Sequence, residues 1–170
     1  WQYKNGISAL YSIFLFLLSG NIYAEGDKVL KEGDLIPDFK CKNVNGKEFS
    51  LRNLKGKYVF IDVWASWCPP CRSEIPHMRI LEEKLAKKKI VFVSISVDRV
   101  KKEWEEMVKE LKMEGLQLYI GRDEAFLNAF GVKTIPRFIL VDKKGRIVNL
   151  KMPRPSNPET LEILMALKGI

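Results

Sequence analysis

Cysteine and histidine are scarce in this chain: three cysteines and one histidine in 170 residues. Three cysteines cannot build the disulfide scaffold of a small secreted fold, and they leave too few soft ligands for a zinc cluster. Glycine and proline are also modest, at 11 and 8 residues, so no flexible linker divides the chain. Long apolar runs are missing. The longest, Ile7 to Leu18, has 12 residues, well short of the ~20 needed to cross a bilayer. Acidic residues are outnumbered, 21 against 29 basic ones, for a net charge of +8. The lysines are interleaved with glutamates rather than gathered in one block, which argues for a solvated surface and against a nucleic-acid face. With 46% hydrophobic residues the chain has enough apolar material for one real core.

The first 24 residues differ from the rest. They carry a single charge, Lys4, then the short apolar run, then Ile22-Tyr23-Ala24 before the polar Glu25-Gly26-Asp27. That is the layout of a secretory signal with a small residue at its cleavage point. The sequence therefore predicts a leader over 1–24, a domain over 25–170 and an exported protein, held at a membrane if the leader stays uncut. An apolar first helix packed on the domain is the alternative.

Downstream, Pro37 to Lys42 alternates as a half-buried strand does, and Asn45-Gly46 before Phe49 to Leu51 suggests a hairpin. Tyr58 to Trp64 and Ile90 to Val97 are nearly continuous apolar runs, the pattern of strands covered on both faces. Pro69 to Lys89, Lys101 to Met113, Asp123 to Phe130 and Pro158 to Leu167 are predicted helices, the first with Pro76 as a kink. Phe138 to Val141 and Arg146 to Val148 flank a turn at Asp142 to Gly145. The order predicts a three-layer α/β domain, a mixed sheet flanked by helices with an added N-terminal β-hairpin.

The chemistry concentrates at Trp67-Cys68-Pro69-Pro70-Cys71, where two cysteines stand three positions apart after a buried strand and at a helix start. A helix N-terminus favours thiolate over thiol, so Cys68 is the expected nucleophile and Cys71 the resolving thiol. Zinc would need two more ligands, and only Cys41, His77 and carboxylates are on offer; a purely structural disulfide stays open. Cys41 reads as a buried thiol, His77 as a surface residue and Trp64 as core.

The run Phe60 to Pro76 around this pair resembles the active-site segment of the thioredoxin superfamily, and within it the exported TlpA/ResA-like thiol–disulfide oxidoreductases. Gly33 to Phe39, Asn45-Gly46-Lys47 and Gly131 to Pro136 match further motifs in the same order, so the resemblance covers nearly all of 33–169. It implies a redox-active Cys68–Cys71 disulfide and no bound cofactor or metal. It implies a cis bond before Pro136 that brings Ile135 beside the pair to meet an extended substrate. It further implies a buried acid at Asp62 able to take a proton from Cys71, and a glutamate, Glu74, near the pair. Local alternatives are a solvated Asp62, a surface Glu74 and a trans proline. Trp67, Pro69 and Pro70 complete the expected substrate-facing surface. The implied partners are disulfide-containing exported proteins, apocytochrome c among them, and a membrane thiol carrier as electron donor. The implied setting is a monomer in the bacterial periplasm, acting as a reductant. A disulfide-forming oxidase and a non-catalytic binding module are the rival readings. Peroxidase chemistry shares the lead-in motif, but Ser66-Trp67-Cys68-Pro69 lacks the usual peroxidatic arrangement.

Overall fold

The computed structural model describes residues 29–170; the leader expected over 1–24 lies outside them. Tyr58–Trp64 and Ile90–Ser96 (β3 and β4) form the middle of a seven-stranded sheet, as their apolar composition requires. They run parallel in register from Tyr58↔Ile90 to Trp64↔Ser96. Parallel neighbours need a crossover, and Pro69–Leu85 (α1) supplies it. Lys101–Glu110 (α2) then crosses to Leu116–Tyr119 (β5), parallel to β4. Glu124–Ala129 (α3) leads to the hairpin of Arg137–Val141 (β6) and Ile147–Asn149 (β7), with β6 antiparallel to β3. The N-terminal hairpin, Lys40–Asn43 and Glu48–Ser50 (β1 and β2), closes the opposite edge against β5. The sheet order is β2-β1-β5-β4-β3-β6-β7, and Pro158–Met165 (α4) ends the chain.

Side-chain alternation sorts the core into two layers. Val59, Ile61 and Val63 of β3 join Trp104 of α2 and Phe126 of α3 on one face. Phe60 meets Met78, Leu81 and Leu85 of α1 and Leu164 of α4 on the other. Asp62 shares the parity of Phe60 and so belongs to the α1 side.

The three-layer α/β fold with its added hairpin is as expected, with differences in detail. The helices expected to reach Lys89 and Met113 stop at Leu85 and Glu110. Trp104 of α2 is fully buried whereas Val108 and Leu111 are half-buried. The first strand spans Lys40–Asn43 rather than Pro37–Lys42, because Pro37 has no N–H for a ladder. Strand β5 was not expected at all. Cys41 is fully buried, and burial pushes its thiol up to about 12. His77 is exposed and Trp64 is core.

Candidate active site

Cys68 is the N-cap of α1, in extended backbone, and is joined to Cys71 by a disulfide with the Cα atoms 5.3 Å apart. Pro69 and Pro70 occupy the first two helical positions, where an N–H would lack a helical partner anyway. The Cys71 amide is therefore the first donor this helix presents. It donates to Cys68 Sγ at 3.3 Å, so the pair of prolines leaves one amide aimed at the Cys68 sulfur. That donor and the helix dipole both favour a Cys68 thiolate.

The loop that delivers Cys68 is tied from below by Asp98, fully buried just past β4. The Ser66 amide donates to both Asp98 oxygens at 3.1 and 3.0 Å, the Ser66 hydroxyl donates at 2.7 Å and the Ser96 hydroxyl at 2.6 Å. Four charge-assisted contacts satisfy the carboxylate without a cation and fix the residue two before Cys68. The sequence reading missed Asp98. A lone carboxylate directly after a buried strand was the available signal.

Asp62 is buried in β3, with Ser94 as its register partner on β4 and Oδ1 without a hydrogen-bond partner. Burial first, then the nearby Glu74 charge, push its carboxyl up to about 8, with Ser94 partly offsetting them. It is not a solvated strand-end acid. Neither is Glu74 a surface charge. It is buried on the third helical turn-face position after Cys71, and its carboxylate accepts the Ser156 amide at 2.9 Å and the Ser156 hydroxyl at 2.8 Å. Arg154 stands 4.0 Å away. Glu74 thus fastens α1 to the loop before α4 while placing a charge within electrostatic reach of Asp62.

The Ile135–Pro136 peptide is cis. Val63 pairs with Arg137, so Pro136 enters β6 at the end of β3 from which the Cys68 loop departs. Trp67 is 62% exposed, and it lines, together with Ile135, a groove of about 220 Å³. Val97, Leu127 and Val132 give this groove an apolar floor, and Arg99, Arg122 and Lys133 line it with positive charge. No sequence pattern pointed to those three cations, which come from three separate loops. The groove is smaller than the roughly 300–1,000 Å³ of small-molecule sites. Among the described residues no group of three or more His, Cys, Asp and Glu side chains is placed to hold a metal ion. Among them, too, no helix is long and apolar enough to cross a membrane.

These features have close counterparts. ResA, a thiol–disulfide oxidoreductase of Bacillus thuringiensis (strain Al Hakam), is 28% identical over 144 residues, covering 80% of this chain and 82% of its own. The thioredoxin-like protein YneN of Bacillus subtilis (strain 168) is 31% identical, covering 83% of this chain and 87% of its own. A solution structure of a Bacteroides vulgatus protein, provisionally assigned as a thiol–disulfide oxidoreductase, superposes with a TM-score of 0.70 at 49% identity. It covers 78% of this chain and 89% of that one. The Redoxin family model matches residues 31–164, a span that takes in the cysteine pair, the cis-proline loop and the whole sheet. On that match the chain belongs to the Redoxin family, and within the thioredoxin superfamily it is a TlpA/ResA-like thiol–disulfide oxidoreductase.

Proposed function

We propose that this oxidoreductase works outside the cytoplasm as a reductant of disulfides in exported proteins. The observation that carries the chemistry is the Cys68–Cys71 pair at a helix N-terminus, with one amide donating to Cys68 Sγ. The leader-like sequence over 1–24 supports the location.

In the dithiol state, the Cys68 thiolate attacks one sulfur of a substrate disulfide. The other substrate sulfur leaves as a thiolate and takes up a proton. Cys71 then loses its proton to the ionised form of Asp62, which is populated as pH nears 8, and attacks Cys68 Sγ in the mixed disulfide. That breaks the bond to the substrate, whose second sulfur leaves as a thiolate and takes up the proton that Asp62 received, which returns Asp62 to its ionised form. Two electrons have moved to the substrate and the protein is left as the Cys68–Cys71 disulfide. A thiol donor, in this reading a membrane thiol carrier, returns the two electrons. No bound cofactor enters the cycle. Asp62 suits the proton step because its carboxyl, pushed up to about 8, exchanges protons near neutral pH. Glu74 serves that step by position, raising Asp62 through its charge. Trp67, Pro69, Pro70, Ile135 and Pro136 form the surface on which the substrate chain lies, and the protein acts as a monomer.

With Cys71→Ser, attack by Cys68 continues but resolution stops. Exported, cysteine-bearing proteins are expected to accumulate on this variant as adducts that collapse with reductant on non-reducing gels. Cys68→Ser should show none. A variant that traps nothing in its own host would favour a non-catalytic binding module. Direction is read from the reduction potential of the pair: a value below about −200 mV supports the reductant, and one near about −120 mV would make it an oxidase.

A further inference from the structure

We infer that the groove beside the redox pair selects substrate polypeptides carrying an acidic residue next to their reactive cysteine. The inference rests on the thiol–disulfide exchange reading and adds to it a substrate class.

The groove begins at Trp67, the residue before Cys68, and ends at Ile135, the residue before cis-Pro136. The groove thus adjoins the cysteine pair on one side and the cis peptide on the other, and it offers a surface to a chain whose disulfide meets Cys68. Its floor of Val97, Leu127, Val132 and the exposed Trp67 takes an apolar side chain. Its charged lining is of one sign: Arg99, Arg122 and Lys133, with no carboxylate among the lining residues. Arg122 is partly committed, its Nε donating to Glu124 at 3.0 Å. Arg99 and Lys133 are exposed and have no ion-pair partner among the described residues.

What sets this groove apart is that three cations converge on one lining from three loops with no carboxylate among the lining residues. The Arg99 backbone is also held, its carbonyl accepting the Tyr119 hydroxyl at 3.3 Å, so the guanidinium starts from a fixed base. A carboxylate on the incoming chain would find complementary charge at the moment of encounter. Such steering acts mainly on the association rate and is screened by salt.

The test uses the reduced full-length protein and three disulfide peptides of equal length, with glutamate, serine or lysine on both sides of the cysteine. Uncharged hydroxyethyl disulfide is run alongside. At about 20 mM salt the glutamate peptide should be reduced on the order of ten times faster than the lysine peptide, a ratio falling towards one at about 500 mM. Arg99→Glu/Lys133→Glu should invert the ratio at low salt, and Arg99→Gln/Lys133→Gln should abolish it. Each ratio is read within one protein, so a general loss of activity cancels. Equal rates for the three peptides, or a preference that survives charge reversal, would overturn the inference while reduction of hydroxyethyl disulfide leaves the oxidoreductase reading standing. Failure to reduce hydroxyethyl disulfide as well would strike both.

Discussion

At the scale of single residues, Asp62 shows most clearly how burial becomes chemistry. The alternation of β3 places Asp62 on the α1 side of the sheet, buried in a small cavity with Met78, Ser94 and Gln117 and with Oδ1 unpaired. An ionised carboxylate there is costly, so the neutral acid persists to about pH 8. Asp62→Asn keeps the shape and removes the proposed proton acceptor. Stopped-flow measurement should show attack by Cys68 largely retained and release of the mixed disulfide slowed by about 10²-fold, within the usual range for general-base catalysis. An unchanged release rate would take Asp62 out of the proton step. Glu74 shows the limit of reading residues one at a time. The family resemblance drew attention to it in the sequence, but its partner Ser156 lies 82 residues away and only the fold brings the two together. Ser94, a polar residue inside the apolar run of β4, was passed over in the sequence, and only its register with Asp62 accounts for it.

At the scale of elements, α1 sets the reactivity of the pair through its first turn. Pro69 and Pro70 withhold two amides, leaving the Cys71 N–H as the donor to Cys68 Sγ. Pro69→Ala/Pro70→Ala would restore both. Each added hydrogen bond to a thiolate stabilises the dithiol state, so the reduction potential should rise by about 20–40 mV and the Cys68 pKa should fall. Equilibration against glutathione and the pH dependence of alkylation read the two effects, and an unmoved potential would mean that the restored amides do not reach the sulfur. Elements also divide what was legible in the sequence from what was not. β3 and β4 could be read to within a residue because seven consecutive positions are packed on both faces and leave an apolar run. β5 could not. Its four residues, Leu116-Gln117-Leu118-Tyr119, offer two alternations after a glycine, too few to separate a strand from a loop. Its identity comes from tertiary pairing, parallel to β4 and antiparallel to β1, which also explains where the N-terminal hairpin attaches. The helices α1 and α2 were read too long for a related reason. Lysines suit both a last helical turn and the loop after it, so composition cannot mark the end.

At the scale of the whole molecule, buried Asp62 and half-buried Glu82 make stability depend on pH in one direction. Asp62 and Glu82 line the same small cavity between α1 and the sheet, with Ser94, Gln117 and Glu114. Burial, then repulsion from Glu114, push Glu82 up to about 7, with Arg79 opposing. Unfolding returns both groups to ordinary carboxylate values of 3.8 and 4.5. Below about pH 4 each is protonated in both states and contributes nothing to the pH slope. Between about pH 4 and 8 the unfolded chain has released protons that the folded protein still holds, so stability falls as pH rises. Above about pH 8 both states are ionised and the fall levels off. Denaturant unfolding of the disulfide form from pH 5 to 8 should therefore show a declining midpoint. The share due to Asp62 is on the order of a few kcal/mol. Asp62→Asn should remove most of the slope and Glu82→Gln a smaller part, since Glu82 is only half-buried and solvent screens it. Their double variant should be nearly flat. If the midpoint instead rose across this range, the two carboxyls would not be raised in the folded protein, and Asp62 would be too weak a base for the proton step assigned to it.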